Sequence, residues 1–171
     1  MTQTSPEPNN PRMVSDGVLQ PTEHWLFAGV DAAVLRAALE SGREVRFLPG
    51  EALFHENDTA DGLYLITAGS VRVSATAESG ETLLAVVRSN EVLGEMGVLD
   101  GQARSGTATA VGVCVAFFMP TEPFLDLLER STTVCMRLLA LLATRLRRAN
   151  GRLGELAATG TIQGTELPHE A

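Results

Sequence analysis

The sequence predicts a mainly β domain, a jelly roll or barrel, with helices on either side of it. Between residues 43 and 119, short alternating or apolar runs recur about every ten residues, and glycine-bearing turns separate them, as in all-β sandwiches and barrels. A short apolar segment follows Gly94, and the chain after Pro120 has helical periodicity. We therefore expect a β core, a short helix over 95–99 and a long C-terminal helix.

The N-terminal part divides into a tail and a first helix. Residues 1–20 are rich in Pro, Asn, Ser and Thr, and this composition predicts a disordered tail. The packed domain is expected from about residue 22 to residue 160. A short helix over 31–39 has Asp31 as its predicted N-cap, and its apolar stripe consists of Val30, Val34, Leu35 and Leu39.

The central part contains the predicted strands. Each strand is an apolar or alternating run that ends at a turn containing Gly, Pro, Ser or Asn. The strands predicted in this way are Val45–Leu48, Gly62–Thr67, Val71–Ala75, Thr82–Val87 and Val111–Phe118.

The C-terminal part predicts two helices. The first begins at Thr121, a candidate cap, and the second runs from about residue 131 to 157. The second helix carries a heptad seam and a separate apolar row. The seam is Cys135, Leu139, Leu142, Leu146, Ala149, Leu153 and Leu156, and the row is Val134, Leu138, Leu141 and Arg145. Both stripes need cover, so we expect one to pack on the β core and the other on a second subunit. A monomer that buries the whole helix is the alternative.

The segment 92–109 carries the chemistry. Gly94 and Glu95 open a short apolar turn, and Arg104 and Ser105 follow after nine residues. Backbone N–H groups at a helix start, together with one guanidinium, form an anion site. A carboxylate beside an anion site would be repelled unless it had another task, and accepting a hydrogen bond from a sugar hydroxyl is such a task. The pattern indicates a nucleotide.

Composition limits the class of protein. The 171 residues carry a formal charge of −8, which is unfavourable for DNA binding. All thirteen basic residues are arginine. The absence of lysine excludes Schiff-base catalysis and a P-loop that depends on lysine. The polar N-terminus resembles no signal peptide, no run is long enough to span a bilayer, and the two cysteines form no disulfide or zinc pattern. We expect a cytoplasmic protein that binds neither DNA nor membrane.

Three segments in order carry a family resemblance. They are Phe47–Glu51 with Leu53 and Phe54, then Asp61–Val71, then Gly94-Glu95 followed by Arg104-Ser105. Together they resemble the cyclic nucleotide-binding domain family, in the branch of the bacterial catabolite activator proteins. The resemblance covers about residues 22–160. It implies a β-barrel followed by two helices, and it implies a regulatory rather than a catalytic protein.

The resemblance also implies roles for the residues of the segment from Gly94 to Ser105, which we call the cassette. Backbone N–H groups after Gly94, with Arg104 and Ser105, would hold the cyclic phosphate, and Glu95 would accept from the ribose 2′-hydroxyl. Met96 lies in the same short helix, and Gly97 would help the backbone to approach the ligand. The small residues of the next strand, Thr107, Ala108 and Thr109, leave room for a ligand.

The long helix should cover the base. By family register Ala149 and Asn150 face the base, where the family often has hydroxyl residues. Asn150 offers both a donor and an acceptor, whereas Ala149 offers neither. Arg145 is a candidate partner for Glu95, because a buried carboxylate near a phosphate needs a cation. Cyclic AMP is the expected ligand, with cyclic GMP as the alternative.

The C-terminal end of the sequence differs from that of the family's transcription factors. In the family's transcription factors a hinge, similar here to residues 153–162, leads into a helix-turn-helix domain. The eleven residues after Gly160 are too few for such a domain, and residues 161–171 are predicted to be a flexible tail. We expect a stand-alone homodimeric sensor that signals to an unknown downstream protein.

Three alternative functions remain open. The chain could be a degenerate domain that binds no nucleotide and contacts proteins, or a sensor of another small molecule or haem. It could also be a metal-dependent jelly-roll enzyme, which would need clustered ligands. The three histidines, His24, His55 and His169, form no such cluster, and no nucleophile has an evident base. We expect neither a metal site nor catalysis.

Overall fold

A computed structural model describes residues 18–78 and 80–158. Most of the predicted N-terminal tail, residues 1–17, and the C-terminal tail, residues 161–171, lie outside the described residues. The part of the predicted tail that is described has ordered contacts, because the Leu19 N–H donates to the Thr67 carbonyl over 3.0 Å. Within the described residues, no helix is long and apolar enough to cross a membrane.

The N-terminal region consists of two short 3-10 turns and one helix. The turns are Pro21–Glu23 and Trp25–Phe27, and helix α1 spans Ala32–Glu40. The prediction of the Asp31 cap is confirmed, because its carboxylate accepts from the backbone N–H groups of Ala33 and Val34. Leu26 and Phe27 are buried and attach this region to the core.

Within the described residues, eight antiparallel strands form two four-stranded sheets, so the predicted mainly β fold is confirmed. One sheet has the order β1-β8-β3-β6 and the other the order β2-β7-β4-β5. The strands are β1 Arg43–Phe47, β2 Ala52–Phe54, β3 Gly62–Ala68, β4 Ser70–Ala77, β5 Gly80–Arg88, β6 Glu91–Leu93, β7 Thr107–Ala110 and β8 Cys114–Pro120.

The last strand differs from its prediction at the N-terminal end. Val111 and Val113 were expected in the strand, but they lie in the β7–β8 turn with exposed side chains. Pairing with β1 begins at Cys114, opposite Phe47. Apolar residues thus continue across a turn here, and apolar content without alternation does not locate a strand end.

Two hydrophobic clusters make up the core. One lies between the two sheets and includes Tyr64, Ile66 and Phe118. The other lies between the first sheet and the helices and includes Phe124 and Leu138. The sandwich is therefore closed on one side by helices, and the second sheet remains available to line a cavity.

Three further helices belong to the described residues, one between β6 and β7 and two after β8. They are α2 Glu95–Asp100, α3 Thr121–Arg130 and α4 Thr132–Ala158. Thr121 does not cap α3: it is the first helical residue, and its hydroxyl donates to the Ala60 carbonyl. The proline before it already sets an extended backbone at the cap position.

Helix α4 follows its predicted division into two faces in part, because Leu142 of the seam packs against the core and Ala149 lies elsewhere than with the exposed leucines. Val134 and Leu138 of the apolar row are buried against the core. Leu139, Leu146 and Leu153 of the heptad seam are exposed in the single chain, by 59%, 63% and 55%. The helix thus covers its own domain with one face and leaves the other uncovered.

Candidate functional site

A cavity of about 260 Å³ lies between the second sheet, α2 and the C-terminal half of α4. Its walls combine apolar strand residues with several charged side chains. The lining residues are Phe54, Val73, Leu84, Ala85, Val86, Val87, Glu91, Leu93, Gly94, Glu95, Met96, Gly97, Arg104, Ser105, Gly106, Arg145, Arg148, Ala149 and Arg152. Eight of the nine residues predicted from the sequence to bind the ligand therefore line one cavity.

Gly94 allows the chain to approach the inner end of this cavity. Its φ of +84° lies in the left-handed region, and a Cβ there would stand 2.6 Å from Nη1 of Arg104. Both the backbone conformation and the space therefore require glycine. Gly97 serves packing, because a Cβ would stand 2.7 Å from the Ala60 Cβ and from the Gln102 carbonyl oxygen.

Arg104 is a buried cation, only 3% exposed. Its Nη1 donates to the Gly94 carbonyl over 2.9 Å, and its Nη2 donates to the Gly62 carbonyl and to Asp61 over 2.7 and 3.0 Å. The guanidinium carbon lies 4.3 Å from the centre of the Phe54 ring. Nε has no hydrogen-bond partner within the described residues. The contacts fix the guanidinium while leaving its Nε–H unused.

Glu95 is a buried anion with no exposed surface. Its Oε1 accepts from Nη1 of Arg145, while Nη2 of Arg145 donates to the Val92 carbonyl. The expected pairing of these two side chains is therefore present. Oε2 of Glu95 has no partner among the described residues, so this carboxylate retains one free acceptor.

The two unused atoms define what the cavity lacks. A buried donor or acceptor without a partner costs about 1–3 kcal/mol, and most buried polar groups are satisfied. Arg104 and Glu95 both line the cavity, and each leaves one buried polar atom without a partner. Both residues at this end of the cavity therefore retain hydrogen-bonding capacity that no described residue uses.

Asn150 is the one predicted ligand residue that does not line the cavity, and the structure corrects that expectation. Its side chain is exposed, while Ala149 lies at the cavity wall. The α4 residues that line the cavity, Arg145, Arg148, Ala149 and Arg152, share one face of the helix. Successive residues of a helix are rotated by about 100°, and Asn150 falls outside that face. Asn150 lies instead towards the face of the exposed leucines.

Sequence reasoning missed four polar residues of the site, one of which is Glu91 of the cavity lining. Arg148 and Arg152 line the cavity beside the predicted Ala149, and the spacing of three and seven residues from Arg145 could have identified them, since it returns to one helix face. Asp61 supports Arg104 from the β2–β3 loop, 43 residues away in sequence. Within the described residues, no cluster of His, Cys, Asp and Glu side chains could hold a metal ion.

Comparison with known proteins identifies relatives. Residues 44–131 match the cyclic nucleotide-binding domain family. The CRP-like cAMP-activated global transcriptional regulator of Mycobacterium tuberculosis is 30% identical over 135 residues, which are 78% of this chain and 60% of that protein. The cyclic AMP receptor protein of Thermus thermophilus is 35% identical over 133 residues, or 77% and 62% of the two chains. The chain thus spans about 60% of the length of these curated relatives.

Solved structures show the same architecture. The catabolite activator protein of Thermus thermophilus matches with a TM-score of 0.67 and 34% identity over 77% of this chain and 62% of that chain. The N-terminal domain of a transcriptional regulator from Streptomyces coelicolor matches with a TM-score of 0.57 and 33% identity, over 75% of this chain and 90% of that chain.

Proposed function

The chain belongs to the cyclic nucleotide-binding domain family, and from that premise we propose that its cavity binds a 3′,5′-cyclic nucleotide. The observation that carries this proposal is the pair of buried, unpartnered atoms, Nε of Arg104 and Oε2 of Glu95. One is a donor that bears positive charge and the other is an acceptor that bears negative charge. A ribose cyclic phosphate presents an anion and a hydroxyl close together, which is the complementary pair.

The phosphate binds at Arg104 in this proposal. A cyclic phosphodiester carries a single negative charge, and charge-assisted hydrogen bonds from a guanidinium to phosphate oxygens are strong and directional. Arg104 is held by the Gly94 and Gly62 carbonyls, so little of its conformational freedom is lost on binding. Ser105 and the backbone of Gly94 to Gly97 complete this end.

The ribose binds at Glu95. In a 3′,5′-cyclic nucleotide the 2′-hydroxyl is free and can donate to Oε2. Arg145 balances the charge of this carboxylate through Oε1, which limits the repulsion between Glu95 and the phosphate. A buried carboxylate close to an anion would otherwise be unstable.

Cyclic AMP is the first candidate ligand, and cyclic GMP is the second. Support for adenine comes from the names of relatives, several of which are cAMP-activated regulators. We propose that the chain acts as a regulator rather than as an enzyme. No metal or cofactor is needed for this function.

Signalling in this proposal passes through α4. The helix carries Arg145 to the ribose site and exposes Leu139, Leu146 and Leu153 on another face. A homodimer that pairs these leucines would cover them, and Asn150 would lie at its seam. Ligand binding would shift the position of α4 to the extent that affinity differs between its two positions, and a downstream protein would read that change.

Titration calorimetry of the purified chain with cyclic AMP and cyclic GMP tests the proposal. We expect saturable binding of at least one, and loss of binding in Arg104→Ala. Arg147→Ala is the matched control: it removes the same charge from a residue outside the cavity lining and should retain affinity. Absence of heat with both ligands at high micromolar concentration, or unchanged affinity in Arg104→Ala, would contradict the proposal.

A further inference from the structure

The outer end of the cavity has a polarity that the proposed phosphate and ribose contacts do not use. Arg104 and Glu95 are buried at the inner end, whereas Arg148 and Arg152 are exposed side chains on the last turns of α4. With phosphate and sugar at the inner end, the base of a nucleotide extends towards these arginines. In this orientation the guanidinium groups of Arg148 and Arg152 lie beside the base.

Both arginines have N–H donors that make no hydrogen bond with the described residues. Arg152 donates from Nη1 to the Leu84 carbonyl of β5, which brings its guanidinium to the cavity rim and leaves its other N–H groups available. Arg148 makes no hydrogen bond or ion pair with the residues that the structure describes, and Glu91, the nearby carboxylate of the lining, is not paired with it. The rim thus offers free donors on α4.

A guanidinium has five N–H donors and no acceptor. The edge of guanine presents the acceptors O6 and N7, and arginine binds that pair in bidentate fashion; adenine presents the N7 acceptor beside an N6 amino donor. Donors that face adenine's amino group would find no acceptor there. An arginine-lined rim thus favours a purine with a carbonyl at C6.

We propose that Arg148 and Arg152 read the base, and that they make the cavity accept guanine at least as well as adenine. This inference rests on the proposed cyclic nucleotide site and sets the base selectivity of that site. It departs from the ligand that the relatives' names suggest. The inference is based on Arg148 and Arg152, which line the rim of the cavity in this chain.

The test compares three ligands on four proteins by titration calorimetry. Cyclic AMP, cyclic GMP and cyclic IMP share phosphate and ribose, and cyclic IMP has the carbonyl at C6 without the 2-amino group of guanine. The proteins are the wild-type chain, Arg148→Gln, Arg152→Gln and, as a control of equal charge change, Arg147→Gln. Thermal unfolding checks that each variant folds.

We expect wild-type protein to bind cyclic GMP and cyclic IMP at least as tightly as cyclic AMP. Arg148→Gln and Arg152→Gln should weaken both carbonyl ligands by at least about fivefold, the lower end of bidentate discrimination, and weaken cyclic AMP by less than about threefold. Arg147→Gln should leave all three affinities within about twofold.

Two results would overturn the inference while leaving the proposed function intact. Equal weakening of all three ligands would mean that the arginines attract the phosphate by charge alone. Cyclic IMP behaving like cyclic AMP while cyclic GMP binds tightly would assign selectivity to the 2-amino group, and hence to an acceptor such as Glu91. Failure of all three ligands to bind would overturn the proposed function together with this inference.

Discussion

The two halves of α4 are attached to the protein in different ways. In the first half, Val134 and Leu138 are buried in the core, and Arg137 donates to the Leu26 and Ala28 carbonyls of the N-terminal turns. In the second half, polar contacts of the described residues attach the helix, from Arg145 to Glu95 and Val92 and from Arg152 to Leu84. Leu146 and Leu153 remain exposed there.

We call the first half of α4 the anchor, because it holds the helix on the domain. We call the second half the cover, because it lies over the cavity. Burial of a leucine stabilises by about 1.5–3 kcal/mol, whereas the hydrogen bond of the exposed Arg152 exchanges with water at little net cost. In the described residues, the buried attachment of the second half is the pair between Arg145 and Glu95. The second half can therefore respond to a ligand while the first half holds the helix on the domain. The cavity residues of α4 all belong to the second half.

The largest expected contrast is between two leucines eight residues apart. Leu138→Ala removes a side chain that is 3% exposed and should lower the free energy of unfolding by about 2–5 kcal/mol. Leu146→Ala, at a position 63% exposed, should change it by less than about 0.5 kcal/mol in the monomer and weaken self-association. Urea unfolding at low protein concentration and sedimentation would measure both. Equal losses of unfolding free energy would refute the comparison.

The anchor also has a predicted pH dependence. Burial lowers the pKa of His24 from 6.5 to about 4, and the backbone of Glu91 offsets part of this shift. His24 Nδ1 accepts from the Leu26 N–H, in the turn that receives Arg137. Between these pH values the unfolded chain binds the proton more tightly, so stability should fall by up to about 3 kcal/mol as pH drops from 6.5 towards 4.

The control for this pH dependence is His24→Gln, which does not titrate. Carboxylates contribute to the acid limb in both proteins, so the quantity to compare is the difference between the two curves of unfolding free energy against pH. A difference that stays constant from pH 7 to 4 would show that His24 does not couple protonation to folding.

The second half of α4 should affect ligand affinity chiefly through Glu95 of α2, which pairs with Arg145. Glu95→Gln removes the charge that Arg145 balances and leaves one side-chain oxygen to accept from both Arg145 and the 2′-hydroxyl. Affinity for a cyclic nucleotide should therefore fall about tenfold or more, the value of a hydrogen bond to a charged group. Calorimetry with 2′-deoxy cyclic AMP supplies the control. Wild-type protein should prefer the ribose ligand, and Glu95→Gln should lose most of that preference. An unchanged preference would remove Glu95 from ribose recognition.

The smallest expected effect is on local opening of the helix. Amide hydrogen exchange should be at least about tenfold faster over residues 144–155 than over 134–142, because polar attachments at a rim open sub-globally before a buried core does. A bound cyclic nucleotide should slow exchange in the second half and leave the first half nearly unchanged. Uniform exchange along α4 would mean that the helix moves as one unit.

Much of this molecule was predictable from local sequence. The Asp31 cap, the turns between strands and the long helix each depend on residues within a few positions of one another. Glu95 and Arg104 were identified because a nine-residue spacing joins an anion site to a carboxylate, and the family resemblance gave that pairing a ligand. Two short strands, β2 and β6, were not predicted, since three residues carry too little periodicity to be recognised.

The remainder depends on contacts between distant residues. Asp61 reaches Arg104 only because strand pairing brings the β2–β3 loop beside the cassette. Asn150 and Arg148 differ by two positions, yet the rotation of α4 on the core places Arg148 on the cavity and Asn150 away from it. Burial of Val134 and Leu138 sets that rotation.

The sequence by itself determined the fold class, the cassette from Gly94 to Ser105 and the two apolar stripes of α4, because periodicity and short spacings encode local geometry directly. Only the tertiary structure decided which atoms of Arg104 and Glu95 stay unpartnered, and that arginines rather than Asn150 line the outer end of the cavity. Those properties depend on how sheets and helix pack against one another, which no single stretch of the chain contains.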